Sequence, residues 1–141
     1  IWEGRVDEAI FPGQDGRFGV LPRHEPYMAE LEPGEVKLKW EDEEELLNVT
    51  GGYARIADNE ISVLTQGAEK AEDIDKERAQ AAYDRAQKRL EKAQRLQEEE
   101  GLDESEIDID VDHAYWCKKR AEARIKVAEH YREKPEEEAT D

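Results

Sequence analysis

Apolar residues in the first half of the chain come in short runs separated by turn signals. "RVDEAIF" and "VKLKW" alternate apolar with polar, "LLNV" continues into "TGGYARI", and "ISVL" follows the pair Asp58-Asn59. A period of two marks half-buried strands. Asp58-Asn59 tolerates the positive φ of a tight hairpin. The acidic stretch "EDEEE", residues 41–45, reads as a solvated hairpin tip between Trp40 and Leu46. The opening "IWEGRV" reads like the middle of a strand. Strands of this length and spacing predict a sandwich or barrel.

From about residue 73 the period becomes helical. Ala79, Ala82, Ala86, Leu90, Ala93 and Leu96 fall at steps of three and four, which gives one narrow stripe. Asp73 or Asp75 suits the N-cap, where an acid also complements the helix dipole. The stretch "EEEGLDESEIDIDVD", residues 98–112, breaks the stripe and reads as an acidic connector; Ala114, Cys117, Ala121, Ala128 and Tyr131 then resume it. Pro135 ends the second helix, and an acidic tail at 135–141 is expected to be disordered. The fold class is α+β, strands first and an antiparallel helical hairpin second. Alanine lets helices approach closely but buries little surface, so such a hairpin is weakly stable by itself.

Charge narrows the function. The chain has 141 residues, enough for one domain or two small ones, and a formal net charge of −17. That surplus disfavours nucleic acid, which is bound by clustered cations, and a bare anionic membrane surface. Self-repulsion of this size suits either a salt-adapted protein or simply a soluble acidic one. Cys117 is the only cysteine, so an intrachain disulfide is impossible. No apolar run approaches the roughly 20 residues of a membrane helix, and no signal-peptide pattern is evident.

Candidate chemistry is sparse. Gly13, Gly16 and Gly19 match neither the dinucleotide fingerprint nor a P-loop, and they read as turn residues. His24, His113 and His130 are scattered without an HExxH motif, which leaves zinc little support. Asp108, Asp110 and Asp112 start like a calcium loop, but His113 and Lys119 stand where glycine and glutamate belong. No nucleophile–base arrangement stands out. By itself the chain does not look like an enzyme.

"GRFGVLPRHEPYMAELEPGEVKLK" resembles the signature G-E-x-G-x-x-P-G-H-A-P-x-x-x-x-L-x-P-G of the epsilon subunits of F-type ATP synthases. "VTGGYARIADNEISVL" and "GAEKAEDIDKERA" resemble the stretches that follow in that family, and the resemblance runs from residue 1 to about 132. It implies an N-terminal antiparallel β-sandwich over 1–67 and a C-terminal helical hairpin over 68–134. It also implies a bacterial central-stalk subunit that bridges gamma and the c-ring and catalyses nothing alone. Its released helices would reach the alpha and beta catalytic subunits and restrain ATP hydrolysis. The implied location is the cytoplasmic face of the bacterial inner membrane, peripheral and without membrane insertion.

The implied docking loops toward gamma and the c-ring contain Gly16, Arg17, Phe18, Gly19, Pro22 and His24. Three departures stand out. Arg23 and Glu25 replace the glycine and alanine of P-G-H-A-P, Arg17 stands where many relatives carry an acid, and the usual first strand has no counterpart ahead of Ile1. A truncated start is the simpler expectation for the last.

In some bacterial relatives the folded hairpin binds one ATP through [IL]-D-x-x-R-A, an upstream acid and two arginines on the second helix. "IDKERA" supplies Asp75 and Arg78, Arg85 follows two turns on, Glu69 is the upstream acid, and "RAEARIKVAE" supplies Arg120 and Arg124. Guanidinium groups converging from two helices suit a triphosphate. The plain alternative is that these arginines form ordinary ion pairs on solvated helix faces. The expectation is a regulatory ATP with no required cofactor. The rival readings are a sandwich-plus-helix adaptor unrelated to a rotary motor, and a rotary subunit indifferent to nucleotide.

Overall fold

The structure is a computed structural model that describes residues 3–133; the acidic tail expected at 135–141 lies outside them. Six strands come first: β1 (Glu8–Gly13), β2 (Gly16–Val20), β3 (Tyr27–Trp40), β4 (Glu43–Ala57), β5 (Glu60–Leu64) and β6 (Ala68–Lys70). They form one antiparallel sheet in the order β2-β1-β3-β4-β5, with β6 also paired to β4. Helices α1 (Lys76–Glu98) and α2 (Val111–Glu133) follow. The α+β class is the one expected.

Two long strands make the sheet close around its core. In β4, Leu47 and Val49 point inward, and beyond Gly51-Gly52 the inward parity switches to Ala54 and Ile56. β3 switches in step, from Leu31 to Val36 and Leu38 across Pro33-Gly34. The pairing between the strands keeps its register through the switch. Both glycines hold positive φ, +101° and +127°, which other residues rarely adopt. Phe11, Ala9 and Val20 from β1 and β2 complete the buried cluster.

Asp58 and Asn59 both take positive φ in the two-residue turn between β4 and β5, as their chemistry suggested. Two expectations need correction. "IWEGRV" does not lie within a strand among the described residues, since Glu3–Val6 are irregular and β1 starts at Glu8. Gly4 offers that stretch no side chain to pack. The acidic hairpin tip is only Glu41–Asp42, because Glu43 to Glu45 continue into β4. Lysines on β3 neutralise this acidic strand; Lys37 Nζ lies 3.6 Å from Glu44 Oε1.

The helices meet along alanines. Ala79, Ala86 and Ala93 of α1 and Ala114, Ala121 and Ala128 of α2 are buried, one every seventh residue in both helices. Antiparallel packing lines these up pairwise, and an ion pair of 3.0 Å between Lys76 and Glu129 ties that register at one end. The other stripe positions, Ala82, Leu90, Leu96 and Cys117, are half-buried, and Tyr131 is exposed. Beside the seam, Gln80, Gln87 and Gln94 each donate to the acid four residues on. Asp75 caps α1 by accepting from the Arg78 N–H. Asp110 takes the same role for α2, accepting from the His113 N–H at 3.0 Å.

A methyl group at Gly52 would lie 2.0 Å from the Leu64 carbonyl oxygen, on a backbone already at φ +127°. Gly52→Ala is therefore expected to lower the unfolding free energy by about 3 kcal/mol or more. Urea titration of the full chain measures it, and a loss under ~1 kcal/mol would mean that the parity switch does not need this glycine.

Candidate functional site

The same period-two alternation that builds the core gives β4 a second buried face. Leu47 and Val49 face the sandwich, while Leu46 and Asn48 point the other way and are buried too. What covers them is the helical hairpin. Leu46 clusters with Ala71, Ile74, Val127 and Ala128, a contact of five apolar residues. Asn48 is 2% exposed, and its Oδ1 has no hydrogen-bond partner among the described residues.

Charge flanks this patch. In register, Asn48 lies between Glu35 of β3 and Glu69 of β6, so one row across the sheet carries a carboxylate on either side of a buried amide. Each carboxylate takes a cation from α2. Arg124 binds Glu69 with two bonds, Nε to Oε1 at 2.6 Å and Nη2 to Oε2 at 3.3 Å. His130 Nδ1 meets Glu35 Oε1. Glu35 is also shared with Arg17 of β2, which donates to its carbonyl at 3.0 Å and approaches its carboxylate at 3.6 Å. An open cleft of about 360 Å³ runs beside this junction, lined by Pro12, Arg17, Glu32, Glu35, Lys126 and His130 among others. On its α2 wall a hydrogen bond from Lys126 holds the Glu122 carboxyl below the usual carboxylate range, aided by the charges of Lys126, Lys119 and Lys118 and opposed by desolvation.

The nucleotide set inferred from resemblance is partly assembled. Lys76–Glu129 and the Lys118 ammonium over the Tyr83 ring mark one flank of the hairpin. The helical phase puts Arg78 and Arg85 of α1, with Arg120 and Arg124 of α2, on the opposite flank. Among these described residues, side-chain to side-chain contact joins Glu69 to Arg124 alone. Asp75 serves as the α1 cap through the Arg78 backbone, and its carboxylate is thereby engaged. Arg78 and Arg85 are exposed, whereas Arg120 is half-buried with an Nε that has no hydrogen-bond partner.

The docking residues are equally divided. Gly16, Arg17, Phe18 and Gly19 lie on β2, at one end of the strand order, whereas Pro22 and His24 lie in the following loop. Phe18 packs inward, 5.6 Å from the Phe11 ring and 5.5 Å from Tyr27. His24 Nδ1 lies 2.6 Å from the Glu25 carbonyl. Arg23, in place of the family's glycine, is held at φ 64°, and its N–H donates to Asn59 Oδ1. Sequence reasoning missed the exposed apolar residues beside this loop: Leu21, Met28, Tyr53 and Leu64, the last 75% exposed. Their signal is apolar character on the outward parity of β3, β4 and β5, where strands with one solvated face normally turn polar.

Among the described residues no helix is long and apolar enough to cross a membrane. The model of the ATP synthase delta/epsilon chain beta-sandwich domain matches residues 1–71, and that of the delta/epsilon chain long alpha-helix domain matches residues 72–101. The chain is 38% identical over 128 residues to the ATP synthase epsilon chain of Rippkaea orientalis, covering 91% of this chain and 88% of that one. Against the ATP synthase epsilon chain of Syntrophobacter fumaroxidans it is 36% identical over 124 residues, covering 88% and 84%. In fold it is similar to a chain of the Euglena gracilis mitochondrial ATP synthase, OSCP/F1/c-ring, with a TM-score of 0.68 and 22% identity over 89% of this chain and 71% of that one.

Removing either kind of hairpin contact has a distinct expected cost. Val127→Ala deletes two methyl groups from a side chain 2% exposed and should loosen the hairpin by about 1–2 kcal/mol. Glu69→Gln leaves Arg124 with a neutral partner in a half-buried setting and should cost about 1 kcal/mol. Limited proteolysis within α2, compared with that of the sandwich, reads both; unchanged cleavage rates would mean these contacts do not hold the hairpin.

Proposed function

The chain belongs to the family of ATP synthase delta/epsilon chains, and on that premise we propose that it is a central-stalk subunit of a bacterial F-type ATP synthase. The sandwich grips gamma and the c-ring, coupling rotation to ATP synthesis without catalysing anything itself. The hairpin is a movable brake that leaves the sandwich and reaches the alpha and beta subunits to restrain hydrolysis. Such a subunit sits peripherally at the cytoplasmic face of the inner membrane.

One observation carries this reading: among the described residues, the hairpin rests on the sandwich through five buried apolar residues, against ten in the sandwich core. A contact of that size can open while both parts stay folded. The exposed Leu21, Met28, Tyr53 and Leu64 support a docking role for the sandwich, since apolar patches on a rigid surface mark partner contacts. Of the loop residues expected to dock, Arg17 is turned instead to Glu35 beside the hairpin.

ATP acts on the folded hairpin in this reading. Arg78, Arg85, Arg120 and Arg124 would hold the triphosphate, while Glu69 and Asp75 would serve the nucleoside end. A ligand that binds only the folded form stabilises it by about 2.7 kcal/mol at a hundredfold excess over Kd. That is comparable with the contact it would reinforce. The bidentate Glu69–Arg124 pair favours the alternative in which the subunit ignores nucleotide, because both groups are already satisfied by each other.

Two measurements separate these readings. Co-purification of the full chain with its gamma subunit should succeed, and Met28→Asp with Leu64→Asp should abolish it; an undiminished complex would remove that surface from the account. Titration with ATP should give saturable heat that Arg78→Ala and Arg124→Ala weaken at least tenfold. Equal heats for all three proteins would leave the rotor assignment standing and eliminate the nucleotide.

A further inference from the structure

The two clamps across the β3–β4–β6 row differ in one chemical respect. Arg124 keeps its charge at every accessible pH, whereas an imidazole changes charge near neutrality. We propose that His130 is a proton-operated latch: as an imidazolium it holds the end of α2 down on Glu35, and as a neutral ring it lets that end go more readily. The inference concerns the isolated chain and stands apart from the nucleotide reading.

The surroundings fit a latch that titrates. The Glu35 side chain is only 16% exposed and the His130 side chain 49%, so the acid is fixed in the sheet while the base remains reachable by solvent protons. Arg17 holds Glu35 from the other side, at its carbonyl and at its second carboxylate oxygen, which orients the first oxygen toward α2. Glu32 of β3 adds a further negative group to the cleft that His130 lines. Opposing protonation are Arg17 and the cations of α2 itself, Lys126 and Lys119, with Glu122 taking up the Lys126 ammonium at 2.9 Å. Glu133 follows one turn on along α2. From the hairpin's other flank Lys76 is committed to Glu129, and from β6 Glu69 is committed to Arg124.

The sign follows from the partner. A charge-assisted hydrogen bond to a carboxylate is roughly twice as strong as a neutral one. Protonation of His130 therefore favours the docked hairpin, and by linkage docking favours the protonated ring. The hold is strongest while the ring is charged and weakens as pH rises and the proton is lost. Carboxylates and lysines keep their charges between pH 6 and 8, so they do not produce this response.

The test places a fluorescent pair on the full chain, one dye on Cys117, the sole cysteine, and the other on Ser62→Cys of the exposed face of β5. Energy transfer reports the docked and released populations in enough urea to populate both. The expected result is a docked-to-released ratio about fivefold higher at pH 6 than at pH 8. Glu35→Gln and His130→Ala should flatten the response, and His130→Arg should keep the hairpin docked at both values. His24→Gln with His113→Gln should leave it intact. A ratio in the parent that is equal at the two pH values, or a response that survives Glu35→Gln, overturns the proposal.

Discussion

Five apolar side chains decide how firmly the helices sit. Leu46, Ala71, Ile74, Val127 and Ala128 are the buried apolar cluster joining hairpin to sandwich, and two of the five are alanines that bury little surface. The remaining groups that bind across this boundary are mostly charged: Arg124 with Glu69, and His130 with Glu35. Partly exposed ion pairs add specificity of placement more than strength. The result is a contact defined in geometry yet modest in energy, which suits the docking and release proposed for the hairpin.

That contact exists because β4 is used twice. A strand with one solvated face buries alternate residues only. β4 buries Leu46, Leu47, Asn48 and Val49 in succession, the odd pair in the sandwich and the even pair under the hairpin. Beyond Gly51-Gly52 the strand reverts to single-sided burial with Ala54 and Ile56, and its outer side shows Tyr53 to solvent. The glycine pair thus divides the strand into a half that receives the helices and a half whose outer face stays open. The proposed docking patch lies on the open half.

Much of this was legible in the residues. Period two up to Leu64, the helical period from about residue 73, the Asp58-Asn59 turn and the Asp75 cap were all readable because each is local chemistry. The heptad itself is written plainly in Ala79-Gln80, Ala86-Gln87 and Ala93-Gln94, although a stripe read in steps of three and four concealed it. The acidic tip was overdrawn because "EDEEE" is polar throughout; only the lysines opposite, four to eight residues back along β3, reveal that Glu43 to Glu45 are strand. Of the site, family resemblance singled out Glu69 and Arg124 only as separate nucleotide contacts, and their pairing with each other across 55 positions did not follow from it. The Glu35–His130 contact was invisible, since the two residues are 95 positions apart and neither belongs to a motif.

The Glu69–Arg124 pair also constrains any account of nucleotide regulation. If a triphosphate took Arg124, Glu69 would lose its cation while still facing the phosphates, and repulsion between them would oppose binding. The net stabilisation by a nucleotide would then be its own contacts less the displaced ion pair. Arg78 and Arg85, exposed and free of such a partner among the described residues, could approach phosphate without that loss. Arg120, with an unpartnered Nε already buried on the same flank, would gain the most from an incoming acceptor. On these terms Arg120 would add to what Arg78 and Arg124 supply, to the extent that its half-buried side chain turns toward the ligand.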